Sequence, residues 1–338
     1  MGEEILMISR TKYDITREKI KEIFEKAGIH GAHGIEPLTA GEYNAVFSVS
    51  AGGNDYVLKI APLPSVRVLT YEKDMMRSEV FWYETMRNKT DILMPKIYFK
   101  DFSRTLIPCD YFIMEKINGK TLDKAKLSDE EMKSVRRETA HMIAELHKIG
   151  TDKFGYIQNT LYDNWYLALR SIFQNLVDDC RRAGKKTKRG EKALCLVDRY
   201  KSVLENVRGT MINYDLWDVN LICKEEDGRK RLYWIDPERS FYGDPIFDFI
   251  CLDFITPFEK KFGVKKAYNE KADVKITNSR QEQIRFAFAD LLMGLIQETE
   301  KYYRYTLRNF GWWRNVFSSR FVYKRGFAAL EKGNGKYH

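Results

Sequence analysis

The apolar positions of the chain divide it into a strand-rich first part and a helix-rich remainder. Residues 14–29 show the periodicity of an amphipathic helix with Gly28 near its end, and short β-rich runs follow it. Residues 51–55 (AGGND) separate two of these runs and are a strong hairpin signal. The further elements predicted in this part are a helix over 71–87 and strands over 95–99 and 111–115.

The helix-rich part contains one more hairpin. Residues 128–147 begin with an N-cap serine followed by three acids, which is typical of a helix start. Residues 160–207 predict two helices, and residues 245–338 are mostly helical in pattern. Between them, Glu-Glu-Asp-Gly at 225–228 joins two short apolar runs and predicts a second hairpin. Strands followed by helices predict an α+β chain with two lobes and a cleft between them.

Polar residues that suit phosphate chemistry surround the second hairpin. Asp215 and Asn220 lie in the loop before its first strand, and Asp236 ends its second strand. Because paired strands bring their distal ends together, we expect Asn220 and Asp236 to lie close in space. Their oxygen atoms are the ligands that Mg²⁺ prefers. Asp215, one loop away, would be free to accept a proton from an incoming hydroxyl group.

Phosphoryl transfer also needs a cation on the nucleotide, and Lys59 is the candidate. It lies in an otherwise apolar strand, Tyr56–Ile60, directly after the first hairpin. In kinase-like folds such a lysine pairs with nucleotide phosphates and with a glutamate from the next helix. Glu79 is the best candidate for that glutamate, and Glu84 on the same predicted helix is the alternative. Each residue alone is an ordinary turn or surface residue, and their order along the chain carries the argument.

This ordered set resembles the aminoglycoside phosphotransferase and choline kinase superfamily, a branch of the protein-kinase-like fold. Residues 215–222 (DLWDVNLI) are similar to the catalytic loop of that family. Residues 235–238 (IDPE) resemble its metal-binding turn, and residues 243–249 (GDPIFDF) resemble its Gly-Asp-Pro-x-x-Asp motif. The resemblance covers roughly residues 35–255.

The resemblance implies a two-lobed kinase-like fold, with a small antiparallel sheet in the N-terminal lobe and a larger, mostly helical C-terminal lobe. The implied division is a nucleotide-binding lobe with a leading helix over residues 1–116, and a lobe with the catalytic loop and acceptor site over 117–338. The implied reaction is transfer of the γ-phosphate of ATP, with Mg²⁺, to a hydroxyl group of a small molecule. Aminoglycoside-like, choline-like and sugar-like acceptors all stay open at this point.

The resemblance also assigns roles to single residues. Asp215 would be the catalytic base, while Asn220 and Asp236 would hold Mg²⁺. Asp248 would brace the catalytic loop and matter more for stability than for chemistry. The residues implied to bind ATP are Lys59 with its partner Glu79 at the phosphates, and the backbone from Glu115 to Ile117 at the adenine.

Two departures from the family pattern matter. Asn213-Tyr214 stands where the family has His-Gly, and the bulk of Tyr214 is expected to shift the loop or narrow the acceptor site. This motivates an alternative function, a catalytically impaired, nucleotide-binding pseudokinase. The nucleotide loop, residues 38–44, has a single glycine. Asn44 and Ser48 are candidate phosphate contacts there, although short polar residues near a turn more often bond their own backbone.

Composition and charge change this picture little. The chain has 44% hydrophobic and 31% charged residues, and five cysteines without a C-x-x-C pair. This composition is ordinary for a globular protein with reduced thiols. No apolar run is long enough to span a bilayer, and the N-terminus has acids where a signal peptide has bases. A cytoplasmic protein without a membrane partner is therefore expected. The pattern does not indicate which oligomeric state the protein has.

The net charge of +9 raises a third alternative, a basic nucleic-acid-binding protein. Seven basic residues crowd residues 181–192, which we interpret as a solvated loop between helices. No nucleic-acid-binding motif accompanies them, so nucleic acid is not an expected partner. The expected partner is a small molecule that carries a hydroxyl group.

The C-terminal segment gives the one indication of what that molecule is. Residues 258–338 are rich in Lys, Arg and aromatic residues rather than acids. Aromatic faces can hold a sugar or a quaternary ammonium group, so an anionic, sugar-like or choline-like acceptor is favoured. Packing in the core is the alternative interpretation of the aromatic residues. Glu238 and Asp218 are further candidates to face the acceptor.

Overall fold

A five-stranded antiparallel sheet forms the first part of the structure, a computed structural model that describes residues 11–38, 41 and 43–331. The strand order is β1-β2-β3-β5-β4, so the last two strands are exchanged relative to the chain. Each neighbouring pair is antiparallel. The strands are β1 (His33–Pro37), β2 (Ala45–Ala51), β3 (Asn54–Ile60), β4 (Ile97–Asp101) and β5 (Tyr111–Glu115).

The turn between β2 and β3 fixes the position of Lys59. Gly52 and Gly53 have φ angles of 56° and 78°, which a two-residue hairpin turn of this kind requires at both central positions. The resulting register places Lys59 opposite Val46. Side chains alternate along a strand, so Leu58 and Ile60, two positions apart, point to the same side of the sheet and enter the core there. Lys59, between them, points to the opposite face.

Two helices pack on the sheet region. Helix α1 (Arg17–Lys26) is capped by Thr16 and buries Ile20, Ile23 and Phe24 in the core on one side of the sheet. The amphipathic helix predicted over 14–29 is therefore confirmed. Helix α2 (Met75–Lys89) starts later than predicted, because Asp74 adopts the left-handed conformation (φ 55°) and separates it from a short 3₁₀ turn.

Helices make up most of the remaining chain. The central one is the 25-residue helix of residues 280–304, in which nearly every residue from Phe286 to Ile296 is buried. The last helix packs along it, and a Cβ atom on Gly326 would lie 2.9 Å from the Ala287 carbonyl oxygen. The helices are α3 (Asp129–Leu146), α4 (Trp165–Arg182), α5 (Lys188–Arg199), α6 (Lys201–Leu204), α7 (Phe262–Lys271), α8 (Arg280–Arg304) and α9 (Phe310–Glu331).

Two small antiparallel sheets hold the loop that carries Asp215. In one, β8 (Gly209–Ile212) lies between β7 (Gly150–Thr151) and β11 (Phe241–Gly243). In the other, β9 (Leu221–Glu226) lies between β10 (Arg229–Trp234) and β6 (Lys120–Thr121). The chain between β8 and β9 is thereby anchored at both ends, as is the turn that joins β10 to β11.

The prediction of a solvated loop over residues 181–192 is wrong for most of that segment. Only residues 183–187 lie between α4 and α5. A Cβ atom on Gly190 would lie 2.6 Å from Leu295, so α5 packs closely against α8 there. The basic side chains make contacts within the chain: Arg182 pairs with Asp179, and Lys192 lies 4.4 Å from the ring centre of Phe327. The argument for a nucleic-acid surface loses its main support.

The α+β architecture predicted from the sequence is confirmed, with a small antiparallel sheet lobe followed by a helical part. The division of the chain at residue 116 stays a prediction. None of the described helices is long and apolar enough to cross a membrane.

Candidate active site

The loop that carries Asp215 is held by one buried carboxylate. Asp248 is fully buried and accepts hydrogen bonds from the backbone N–H groups of Asn213 (2.9 Å) and Tyr214 (2.6 Å). His147, at the end of α3, lies 3.0 Å from the same carboxylate. Asn213 in turn accepts a bond from the Asp215 N–H group at 2.9 Å. The geometry agrees with the bracing role expected for Asp248.

The bulk of Tyr214 suggested that its side chain would narrow the acceptor site, but the side chain does not do so. Its backbone is left-handed (φ 60°), a conformation that glycine adopts easily and that costs a residue with a Cβ atom on the order of 1–3 kcal/mol. Its ring is fully buried, packs on Phe241 and Phe247, and donates its hydroxyl hydrogen to the Ala289 carbonyl at 2.7 Å. The side chain thus points into the helical core, which compensates for the backbone conformation.

The carboxylate of Asp215 is held from three directions. It accepts hydrogen bonds from the indole N–H of Trp217 (2.9 Å) and from the Asn220 amide (3.1 Å). The guanidinium group of Arg239 lies 3.7 Å away. Burial raises the pKa of Asp215 above its usual range, and the negative charges of Asp236 and Glu300 add to this while Arg239 opposes it.

The second hairpin brings Asn220 and Asp236 together as the strand argument predicted. The backbone N–H of Ile235 donates to the Asn220 carbonyl at 3.0 Å, directly beyond the last pair of the β9–β10 ladder. Asp236 is left-handed (φ 64°), and its N–H donates to the hydroxyl of Tyr83 at 2.8 Å. Because the side-chain amide nitrogen of Asn220 donates to Asp215, its side-chain oxygen, distinct from the backbone carbonyl, is left for another partner.

Lys59 lies inside a cluster of three carboxylates. Its ammonium group is 2.7 Å from Glu79, 2.9 Å from Asp236 and 3.9 Å from Glu238. Of the two candidate glutamates, Glu84 instead contacts Lys100 at 2.5 Å on the surface. The structure therefore selects Glu79 as the partner of Lys59. We call this set the lysine cluster (Lys59, Glu79, Asp236 and Glu238).

Glu238 is the site residue whose place sequence reasoning missed. It was considered as an acceptor contact, but it is buried beside Lys59 and accepts a hydrogen bond from the Asn44 amide at 3.0 Å. Asn44 thus links residues 38–44 to the turn that follows Asp236. Asp218, the other candidate acceptor contact, pairs with Arg136. The position of Glu238 two residues after Asp236 was the available signal.

The lysine cluster fits a divalent cation. Its carboxyl groups offer oxygen atoms within 4.8 Å of one another, and three of them face one ammonium group. One oxygen of Glu79 is buried without a hydrogen-bond partner among the described residues. Burial raises the pKa of Glu79 to about 7 against the effect of Lys59, and burial and Asp236 raise that of Glu238 as well. Excess negative charge with oxygen ligands is what Mg²⁺ requires.

A second buried cluster lies on the other side of Asp215. Arg239 donates to Glu300 at 2.6 Å, and Arg304 lies 3.5 Å from Glu300 and also contacts Glu72. Arg304 also lies 5.3 Å from the ring centre of Tyr43. Burial opposes ionisation of Glu300, but the two arginines lower its pKa to about 2. We call this set the arginine cluster (Arg239, Glu300, Arg304 and Glu72).

The predicted adenine contacts lie at the end of β5. Glu115 pairs with Tyr56 of β3, and Lys116 donates its N–H to the Asp55 carbonyl at 3.2 Å. The carbonyl of Ile117 accepts from Gly119, whereas no backbone acceptor in the described residues takes the Ile117 N–H. A Cβ atom on Gly119 would lie 2.6 Å from the Cys223 carbonyl, so glycine lets this connection approach β9.

Comparison with known proteins indicates the same class of protein as the geometry of the site. The model of the phosphotransferase enzyme family matches residues 34–265. The chain belongs to this family, and the predicted class, an ATP-dependent small-molecule kinase, is confirmed. No curated protein matches it by sequence.

Solved structures share the whole fold at low identity. A protein described as an aminoglycoside phosphotransferase, from Ralstonia eutropha, is 16% identical with a TM-score of 0.65, over 93% of this chain and 98% of its own. A protein described as a fructosamine-3-kinase, from Haemophilus somnus, is 16% identical with a TM-score of 0.63, over 91% and 97%. The complex of APH(4)-Ia with AMP-PNP and hygromycin B is 18% identical with a TM-score of 0.58, over 94% and 99%. At these identities the likeness shows the kinase-like fold.

Proposed function

We propose that the chain transfers the γ-phosphate of ATP, with Mg²⁺, to a hydroxyl group of a small molecule. The observation that carries the proposal is the position of Asp215, braced beside a cluster of carboxylates that carries more negative than positive charge. Aminoglycoside-like, choline-like and sugar-like acceptors are consistent with this chemistry. The geometry of the Asn213-Tyr214 segment gives no reason to prefer an impaired kinase, because the loop keeps its hydrogen bonds.

Asp215 is the proposed catalytic base. The Trp217 and Asn220 side chains orient its carboxylate, so that a free oxygen lone pair can accept the acceptor's proton. Its raised pKa, caused mainly by burial, makes it a better proton acceptor than an ordinary aspartate. General base catalysis of this kind contributes on the order of 10²–10⁴-fold in rate.

Asn220 and Asp236 would hold Mg²⁺, with Glu238 close enough to share in its binding. When bound, Mg²⁺ would supply positive charge that offsets the charge of the ATP phosphates. Lys59, positioned by Glu79, would contact the phosphates of ATP. The N–H of Ile117 and the carbonyl of Glu115 would hold the adenine. Binding at this hinge and at the phosphates orients ATP toward Asp215.

The test is a phosphate-transfer assay with ATP, Mg²⁺ and a panel of hydroxyl acceptors, repeated with GTP. We expect transfer to at least one acceptor, and a loss of kcat on the order of 10²–10⁴-fold in Asp215→Asn with little change in ADP affinity. Glu84→Gln, a surface glutamate on α2, is the matched control and should keep full activity. Equal rates in wild type and Asp215→Asn for every acceptor would refute the proposal.

A further inference from the structure

The exposed face of α9 carries a row of aromatic side chains. Phe310, Trp313, Phe317 and Phe321 are exposed to 81, 47, 63 and 40%. Their spacing of three or four residues places them on one side of the helix. Single exposed apolar residues are normal, but a contiguous exposed patch marks a binding surface. We call these four residues the α9 aromatic row.

One end of the row leads to the proposed catalytic base. The ring of Phe321 lies 5.8 Å from that of Phe254, and Phe254 lies 5.3 Å from Trp217. The indole N–H of Trp217 donates to Asp215 at 2.9 Å. Aromatic rings therefore form a continuous path from Asp215 to the α9 aromatic row.

The chain enters α9 from Arg304, six residues before Phe310. Arg304 ends α8, lies over Tyr43 just before β2, and contacts Glu72 just before α2. From Phe310 to Phe321 the row extends about 16 Å at about 1.5 Å per residue. The Phe321 end is the one that reaches the catalytic loop, through Phe254 and Trp217.

The charge around the row favours a negative ligand. No Asp or Glu occurs from Lys301 to Leu330, whereas basic residues recur there. Arg320 and Lys324 are exposed on the same side of the helix as Phe317, and neither has a carboxylate partner within the described ranges. The nearby acids of the arginine cluster are already paired. From Phe310 to Leu330 the helix itself offers a polycationic acceptor no carboxylate, and the exposed Asp253 lies next to Phe254 at the Asp215 end of the row.

We propose that the α9 aromatic row binds the apolar body of an anionic amphiphile whose hydroxyl group is the phosphate acceptor. This proposal rests on the proposed function and names its substrate class. In the reaction, the acceptor hydroxyl loses its proton to Asp215 and its oxygen bonds to the γ-phosphorus. The bond from that phosphorus to the bridging oxygen breaks, and ADP leaves. The row fixes the body of the acceptor, and Arg320 and Lys324 attract its negative charge.

A matched set of acceptors tests charge and apolarity separately. The set is a long ω-hydroxy fatty acid, the ω-amino alcohol of equal length and a short hydroxy acid. In wild type, kcat/KM should be at least tenfold higher for the long acid than for either of the others. Phe317→Ser should lower kcat/KM for the long acid about tenfold, with KM for ATP unchanged. Arg320→Gln should lower it for the long acid and not for the amino alcohol.

The control variant is Phe81→Ser. Phe81 is 41% exposed on α2, two residues after Glu79 and therefore on the opposite side of that helix from Lys59. It should leave all three acceptors unaffected. Equal selectivity in wild type and Phe317→Ser, or a preference for the amino alcohol, would overturn the proposal.

A binding measurement separates this proposal from the proposed function. Dodecanoate, which has no hydroxyl group, is titrated into the protein with ADP and Mg²⁺. Weaker binding by about tenfold in Phe317→Ser, but not in Phe81→Ser, supports the row even if no acceptor is phosphorylated. If Phe317→Ser binds dodecanoate as wild type does, the proposal for the α9 aromatic row is overturned, whether or not transfer activity persists. Two further outcomes would overturn the proposal if Phe317→Ser kept its dodecanoate binding. One is a loss of binding to anionic phospholipid vesicles, and the other is a loss of a dimer that wild type forms.

Discussion

The lysine cluster and the arginine cluster flank the same catalytic loop, and they differ in charge balance. In the lysine cluster, three carboxylates face one ammonium group. In the arginine cluster, two carboxylates face two guanidinium groups. The lysine cluster therefore has more carboxyl groups than cationic groups, and a bound cation would balance them. In the arginine cluster the two kinds of group balance each other. Under the proposed function, the two sides of Asp215 would have different tasks, metal–nucleotide binding on one and positioning on the other.

Two buried glutamates show this difference most directly. The pKa of Glu79 is raised to about 7, because burial and Asp236 outweigh the effect of Lys59. Glu300 is equally buried, but Arg239 and Arg304 hold its pKa at about 2. Burial alone therefore does not decide the charge state of either residue. The number of cationic partners decides it.

The largest expected effect on stability comes from breaking the arginine cluster. Glu300→Gln removes the carboxylate that Arg239 and Arg304 share and leaves both guanidinium groups buried. Removing one partner of a buried ion pair destabilises a protein by about 3–5 kcal/mol. Urea unfolding of the metal-free protein should show a loss of this size in the free energy of unfolding. A loss below about 1 kcal/mol would contradict the account of a self-neutralised cluster.

The pH dependence of stability should carry opposite signs for the two glutamates. The pKa of Glu300 is lowered on folding from 4.5, so its contribution is present above about 4.5 and is lost as pH falls toward about 2. The pKa of Glu79 is raised, so the metal-free protein should lose stability as pH rises from about 4.5 to about 7. Each effect is on the order of 3 kcal/mol.

Single variants separate the two contributions in the same pH series. Glu79→Gln should flatten the metal-free stability profile between about pH 4.5 and 7, and Glu300→Gln should flatten it below about 4.5. Thermal or urea unfolding in metal-free buffer measures both. Glu79→Gln could also leave unchanged the slope of the free energy of unfolding against pH above pH 4.5. In that case the excess negative charge of the lysine cluster would not be the cause of the loss of stability with rising pH.

A smaller effect is expected from Glu238→Gln, which reduces the excess charge of the lysine cluster. Without metal, this variant should be as stable as wild type or more stable, because it replaces a buried carboxyl group whose raised pKa shows that its ionised form is disfavoured. Residues close to metal ligands contribute about 10–100-fold to metal affinity. The affinity for ADP with Mg²⁺ should therefore fall about tenfold, as titration calorimetry would show. A large loss of metal-free stability would speak against the charge argument.

The smallest effect is expected from Glu84→Gln. Glu84 and Lys100 form an exposed pair, with side chains 47% and 43% accessible. Such pairs contribute about 0.2–1 kcal/mol. The variant should bind ADP with Mg²⁺ as wild type does, and its free energy of unfolding should change by less than about 1 kcal/mol. A strong effect on nucleotide binding would return Glu84 to consideration as the partner of Lys59.

The features that the sequence could predict are those set by local pattern and strand pairing. The β2–β3 turn and the approach of Asn220 to Asp236 follow from hairpins, and the strand Tyr111–Glu115 follows from its apolar run. The short strands were not predicted, since β6, β7, β8 and β11 have only two to four residues each and are stabilised by their neighbours.

The errors arose where tertiary packing decides the environment of a side chain. Tyr214 was expected at the acceptor site, but its left-handed backbone turns the ring into the core of the helical part. Glu238 joins Lys59, because a short 3₁₀ turn follows Asp236. The pairing of Glu300 with Arg239 joins residues 61 positions apart, which no local pattern indicates.

The most direct test of the central claim is a calorimetric titration of ADP with and without Mg²⁺. If the excess negative charge of the lysine cluster holds the cation, Mg²⁺ should tighten ADP binding at least about tenfold in wild type. In Asp236→Asn that difference should disappear, while Glu84→Gln should keep it. Equal ADP affinity with and without Mg²⁺ in wild type, or a full Mg²⁺ effect in Asp236→Asn, would contradict the account.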